Sequence, residues 1–208
     1  MALPLDHLVY AVSDLEAGIA HLERLLGVRA SPGGSHRGLG TRNALLALGP
    51  DCYLEVIGPD PEQPEPSAPR PFGVDRLRAG RLVTWAVKAG DLERRVEAAR
   101  RAGYDPGEVR SMSRDRPDGV RLEWRLTLRA EAAGEGLVPF LIDWGTTQSP
   151  AQHAARGCRL IALRAVHPRI PSVAALLHAL EVDLALDPAP AAELVAVLDT
   201  PLGRVELR

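Results

Sequence analysis

The apolar positions fall into short blocks whose spacing changes in a fixed order. Leu5 to Val12 is an apolar run of strand length, Leu-Asp-His-Leu-Val-Tyr-Ala-Val. Ser13-Asp14-Leu15-Glu16 has the form of a capping box, with Ser13 at the N-cap and Glu16 three residues on. Leu15, Ile19, Leu22 and Leu26 then recur at helical spacing, and Gly27 supplies a stop. Shorter β-like runs follow around Asn43–Leu48 and Cys52–Ile57. The predicted order is strand, helix, then several strands.

That order recurs. Leu82 to Lys88 predicts a second apolar strand, and Asp91 can cap a helix with Leu92, Val96, Ala99 and Ala102 on one face and Gly103 at its end. From Val120 to Arg129 the chain alternates: Val120, Leu122, Trp124, Leu126 and Leu128 against Arg121, Glu123, Arg125, Thr127 and Arg129. This predicts a strand with two chemically distinct faces. Val138 to Trp144 closes the unit. A shorter copy follows, with a strand at Arg159–Val166, a helix capped by Ser172 and carrying Val173, Leu176, Leu177 and Leu180, and strands at Glu193–Leu198 and Arg204–Leu207. Between the first two units, Pro59 to Pro71 holds six prolines in thirteen residues, which excludes helix and central strand and predicts a linker or extended loop. The predicted units are residues 1–58, a linker 59–81, then 82–147 and 158–208, the last needing a surface to pack on or a two-fold partner copy to cover it.

Composition changes this picture little. The 208 residues carry 25 Lys+Arg against 27 Asp+Glu, a formal charge of −2, which argues against a broad nucleic-acid or polybasic membrane footprint. No apolar run approaches the ~20 residues of a membrane span, and the N-terminus lacks signal-peptide character, so the expected setting is cytoplasmic. Cys52 and Cys158 fit no metal spacing or disulfide framework and read as packing residues. Aromatics are 4%, so Trp85, Trp124 and Trp144 read as core.

The chemistry gathers in the first unit. His7 shares a strand face with Leu5 and Val9, and Glu55 shares one with Tyr53 and Ile57. A glutamate in an apolar strand is costly to bury unless it is paired or bound to a cation. His7 and Glu55 therefore read either as two ligands of a divalent ion or as a hydrogen-bonded core pair. His36 lies among Gly33, Gly34, Gly38 and Gly40, which suits either backbone folded over a ligand or a plain turn. Thr41 and Asn43 follow on one strand face and offer a hydroxyl and an amide to a bound molecule. Arg116-Pro117-Asp118-Gly119 reads as a tight turn from whose rim Arg116 reaches an anion. The glycines lack the strand–turn–helix context of a dinucleotide fingerprint, so no nucleotide cofactor is expected.

These repeats and motifs together resemble the glyoxalase-like domain family of the vicinal oxygen chelate superfamily, which includes glyoxalase I, extradiol dioxygenases and bleomycin-resistance proteins. The segments that carry the resemblance are Leu5–Leu15, Gly33–Asn43, Tyr53–Ile57, Arg116–Arg125 and Pro139–Trp144, within residues 1–147. The implied fold is α+β: tandem βαβββ modules forming a curved mixed sheet with an internal cleft and helices outside, plus a small C-terminal βαβββ-like module. His7 stands where the first metal ligand of such a module usually sits, and Glu55 at the second. In the second module, counting back from Asp91 puts Thr84 at the His7 position, and Ile142 or Asp143 falls near the Glu55 position depending on register. The implied metal set is His7 and Glu55 with Asp143 or His36; His36 would make it like the facial triad of non-haem iron enzymes. The metal would be Zn, Ni, Fe or Mn. If Trp124 packs beneath the second helix, Arg125 faces the cleft and favours an anionic small-molecule ligand. The expected activity is a lyase, isomerase or dioxygenase reaction with Glu55 as general base, and the rival is a metal-free binder of the bleomycin-resistance type.

Overall fold

The computed structural model describes residues 3–116, 119–129 and 132–208. Strands β1 (Leu5–Ala11), β2 (Ser31–His36), β3 (Thr41–Ala47) and β4 (Tyr53–Pro59) with helix α1 (Leu15–Leu26) form the first module. Strands β5 (Arg81–Lys88), β6 (Glu108–Asp115), β7 (Arg121–Leu128) and β8 (Phe140–Asp143) with α2 (Leu92–Arg101) form the second. Their eight strands make one mixed sheet in the order β2-β3-β4-β1-β5-β8-β7-β6. The two modules meet where β1 runs antiparallel to β5, pairing His7 with Ala86 and Val9 with Thr84. A two-fold relation across that seam exchanges these pairs, so Thr84 is the counterpart of His7.

The α1 helix starts one residue later than its capping box suggests. Asp14 is the N-cap, its carboxylate accepting the Ala17 N–H at 3.0 Å, and Gly27 ends the helix in the left-handed region at φ 73°. Leu15, Ile19, Leu22 and Leu26 are buried on one face as spaced. They pack on Leu8, Tyr10, Leu54 and Val56, the even-numbered side of β1 and β4. The odd-numbered side, with His7, Tyr53 and Glu55, is thereby turned to the concave face. Two segments fold over that concavity. Val74, Phe72 and Leu77, which follow the proline-rich stretch, cover Val9, Ala11 and Ile57. Ala151 and Ala154 cover Leu45, Ala47 and Tyr53.

The third unit comprises β9 (Arg159–His167), α3 (Ile170–Ala179), β10 (Ala185–Pro188), β11 (Glu193–Thr200) and β12 (Gly203–Leu207). It repeats the element order but not the pairing: its sheet runs β10-β9-β11-β12, with the first strand inside. Ser172 lies within α3, because the helix begins at Ile170-Pro171, where a proline in the first turn costs no hydrogen bond. Val173, Leu177, Leu194, Ala196 and Leu198 join the core formed by α1, α2 and the outer face of the large sheet. The Leu82 N–H donates to the Arg208 carbonyl at 3.0 Å, and the Leu160 N–H to that of Leu48 at 2.9 Å. The third unit docks on the first two. No helix among the described residues is long and apolar enough to cross a membrane.

Candidate functional site in the sheet concavity

Register places the first-module residues together. β1 and β4 run parallel with His7 beside Tyr53 and Val9 beside Glu55, and β3 puts Asn43 beside Ile57 and Leu45 beside Glu55. All these odd-numbered side chains project into the concavity. Thr41 pairs with His36 across the β2–β3 hairpin, which brings His36 over from the neighbouring strand.

The result is a buried polar chain. Asp6, fully buried, accepts the Trp144 indole N–H at 3.0 Å and meets His7 Nδ1 at 2.6 Å. His7 Nε2 then faces Glu55 Oε2 at 3.6 Å, and its ring stacks on Tyr53 with centroids 4.7 Å apart. Asn43 Nδ2 donates to Glu55 Oε1 at 2.5 Å and lies 3.2 Å from His36 Nε2. His36 Nδ1 meets Thr41 Oγ1 at 3.0 Å, and the Thr41 carbonyl accepts the Gln63 side-chain N–H at 3.3 Å. Asp6 and Thr41 thus occupy the Nδ1 atoms of the two imidazoles and turn both Nε2 atoms toward one carboxylate. Burial holds the His36 imidazole below its ordinary pKa, against the pull of Glu55, and pushes the Tyr53 phenol well above its own.

His36 does reach Glu55: its Nε2 lies 3.6 Å from Oε1. The donor types of a facial triad are therefore adjacent, and Asp6 behind His7 is the kind of carboxylate that backs a ligating histidine. The arrangement does not close on a cation, because the Asn43 amide stands between His36 and Glu55 Oε1 with its N–H groups toward both. Among the described residues no group of three or more His, Cys, Asp or Glu side chains is arranged to hold a metal ion.

Two residues assigned from the resemblance belong elsewhere. Asp143 is not at the Glu55 position. Glu55 pairs with Val9 and Phe140 with Ala86, so Phe140 is the counterpart of Glu55, and its ring meets His7 edge-on at 5.4 Å. Asp143 lies three residues beyond, capping the Gly145 N–H at 2.9 Å. Arg125 faces outward and pairs with Glu93 of α2. The reason is that Leu122 and Trp124 pack inward on Ala86 and Ile142, with Trp144 against the Trp124 ring, so the concave side takes the apolar face of β7. Arg116 lines the cleft described next; its backbone closes the turn to Val120 and Gly119, while Pro117 and Asp118 lie outside the described residues.

A cleft of about 370 Å³ opens beside the polar chain, between β2, β3, the β6–β7 hairpin and residues 147–153. Leu45, Arg114, Arg116, Leu122 and His153 are among its walls. Arg114 was not foreseen. It is 4% exposed, its Nη1 has no hydrogen-bond partner, and it lies within electrostatic reach of Glu55 and Tyr53. Its signal in the sequence is faint, since Ser111-Met112-Ser113-Arg114-Asp115 reads as a polar edge strand. It is buried because the curved sheet brings β6 round to β2, where Gly34 lies against the Arg114 side chain and Arg37 bonds Asp115 at 3.0 Å.

A family model described as a glyoxalase-like domain matches residues 5–181, past the two motif-bearing modules and into the third unit. Among solved structures, a hypothetical protein from Staphylococcus aureus is similar with a TM-score of 0.68 at 15% identity, covering 92% of this chain and 88% of that one. Methylmalonyl-CoA epimerase from Mycobacterium tuberculosis gives a TM-score of 0.45 at 23% identity, over 70% of this chain and 91% of that one. A methylmalonyl-CoA epimerase in complex with methylmalonyl-CoA and NH4+ gives 0.48 at 18%, over 72% and 100%. At such identities the likeness to solved structures is one of fold. No curated protein sequence matches the chain.

Proposed function

The chain belongs to the glyoxalase-like domain family of the vicinal oxygen chelate superfamily, and from that premise we propose that it is a small-molecule enzyme of the isomerase or lyase type, with Glu55 as its proton-transferring base. The observation that carries this reading is the state of the Glu55 carboxylate. It is 8% exposed, its Oε1 is committed to Asn43, and its Oε2 is directed at His7 Nε2 without a hydrogen bond. A buried carboxylate with one uncommitted oxygen beside a cleft is suited to take a proton from a carbon next to a carbonyl and return it. His7, held by Asp6, can move a second proton at Nε2 or stabilise charge developing on the substrate oxygen. A resident divalent ion would act as a Lewis acid in such a site. The donor arrangement with Asn43 interposed does not accommodate one, so the reading routes no step through it.

The test is solvent exchange. The protein is incubated in D2O with a panel of small 2-oxo and 2-hydroxy acids, and loss of the proton next to the carbonyl group, at C3 of the oxo acids and C2 of the hydroxy acids, is followed by NMR, with and without chelator. Enzyme-dependent exchange that survives chelation and disappears in Glu55→Gln is expected. Exchange retained in Glu55→Gln refutes the role of Glu55, and exchange abolished by chelator and restored by metal refutes the metal-free form. A metal-free binder using the same cleft is the second reading, favoured by Thr84 and Phe140 at the second module's counterpart positions. It predicts ligand-dependent stabilisation with no exchange at all.

A further inference from the structure

We infer that Arg114 is the anchor for an oxyanion group of the substrate, a carboxylate or a phosphate, bound in the cleft between β2, β3 and the β6–β7 hairpin. This rests on the reading of the concavity as a small-molecule site and names the class of molecule it takes.

Three observations support it. Arg114 is almost fully buried, yet among the described residues no carboxylate pairs with it and its Nη1 has no hydrogen-bond partner. A guanidinium buried without a contacting counter-charge is costly, and a bound anion is the group that would offset the cost. Glu55 lies within electrostatic reach but makes no hydrogen bond or ion pair with Arg114, its nearest partners being Asn43, His7 and His36.

The surroundings also leave room. A β-carbon on Gly34 would stand 3.2 Å from Arg114 Nη1 and 2.7 Å from the Asp115 carbonyl, so glycine is what lets β2 close against the guanidinium on that side, and the room for an anion lies on the cleft side, where Arg114 forms part of the wall. The cleft wall is uniformly non-acidic among the described residues. It carries Arg114, Arg116, Arg121 and His153 together with Thr147 and Gln148. Arg121 is already engaged by Ser113 at 2.8 Å and Glu123 at 3.3 Å on the exposed edge, Arg116 is half-buried, and Arg114 is the buried arginine of this wall. A planar guanidinium fork matches carboxylate and phosphate oxygens in paired hydrogen bonds.

The volume of about 370 Å³ suits a small ligand rather than a polymer. Leu45, part of the cleft wall, is the register partner of Glu55, which sets the cleft and the polar chain beside one another on the same sheet. The substrate class is therefore a small acid or phosphomonoester.

Titration calorimetry of the full chain with malonate and, separately, inorganic phosphate tests the assignment, and whichever binds more tightly identifies the oxyanion type. Arg114→Met is expected to weaken binding by about tenfold or more, as loss of a charge-assisted pair implies. Arg114→Lys should fall between the two, and it remains the readout if Arg114→Met does not fold. Arg121→Gln should change binding less than about twofold, as befits a solvent-screened rim charge. Binding in Arg114→Met or Arg114→Lys equal to wild type, or wild-type binding of both anions weaker than about 10 mM, which is below ~3 kcal/mol, overturns the proposal. Glu55→Gln separates it from the proton-transfer reading. If wild type gives no exchange while Glu55→Gln still binds the anion, the base assignment fails and the anchor stands. If exchange depends on Glu55 but Arg114→Met binds normally, the reverse holds.

Discussion

Gly33 has a side-chain hydrogen because Asn43 occupies the space a methyl group would need. A β-carbon built on Gly33 falls 2.0 Å from Asn43 Oδ1 and 2.9 Å from its Cγ. Ordinary carbon–oxygen contact is well over 3 Å, so Gly33→Ala must move the Asn43 amide by more than an ångström. The 2.5 Å bond from Asn43 to Glu55 cannot survive that shift, nor can the 3.2 Å approach to His36. A hydrogen bond to a charged group contributes about 1.5–3 kcal/mol. Gly33 is not among the residues with positive φ, so alanine there returns about 0.4–1 kcal/mol through the unfolded chain. The expected net loss is about 0.5–2.5 kcal/mol. Asn43→Ala alone should cost a similar amount by removing the same bond. In the double variant the side-chain clash is gone and only the 3.1 Å contact with the residue-43 carbonyl remains, so Gly33→Ala should then cost little, with a coupling of about 1–2 kcal/mol. Urea denaturation followed by tryptophan fluorescence measures all four proteins. Additive effects, or a neutral Gly33→Ala, would refute the claim that this glycine exists to seat Asn43 against Glu55.

Four further outcomes follow from the same structure. Arg114→Met should raise the stability of the ligand-free protein by about 1–2 kcal/mol, since it replaces a buried charge that no carboxylate contacts with an apolar chain of similar length; a fall in the urea midpoint would contradict it. Burial pushes the Cys52 thiol from 9.0 up to about 12, and Cys158 upward as well, so neither should react with a disulfide reagent at pH 8 until urea unfolds the chain. The stability held by protonated Cys52 is complete below pH 9.0 and is lost as pH rises toward about 12, and a Cys52→Ala variant should lack that loss. Ending the chain at Thr147 removes Val173, Leu177, Leu194 and Leu198 from the shared core, and should give an insoluble or unfolded product in a sedimentation assay.

The parts of this site that depend on short-range pattern were legible in the sequence. His7 and Glu55 lie on strands whose alternation fixes their face, and Thr41 and Asn43 share a face by spacing alone. His36 needed only the hairpin between β2 and β3. What escaped depends on relations between distant strands. Arg114 sits in a strand polar on both sides, and only the approach of β6 to β2 buries it. Arg125 faces out because the condition for its facing the cleft, Trp124 beneath the second helix, does not hold: Trp124 packs on Ala86 and Ile142. The concavity has its own apolar filling, and Trp124 belongs to that. Asp143 was favoured by a register choice that β5–β8 pairing resolves at Phe140, which makes the second module an apolar scaffold at both counterpart positions. Asn43 was foreseen as a ligand-binding amide, but not as the group that separates His36 from Glu55.

The approach of β6 to β2 bears on how copies of this chain meet one another. A sheet of eight strands would ordinarily present two rows of unpaired backbone groups to any passing strand. Here those two rims confront each other, tied by Arg37 and Asp115, with the Asp115 carbonyl against Gly34. The remaining open rims belong to the small sheet. One is β10, four residues long and ending in Pro188; the other is β12, studded with Arg204 and Glu206. Brevity, a proline and alternating charge are the devices that discourage strand addition. The chain is built so that its rims discourage strand addition, which directs any self-association to side-chain surfaces.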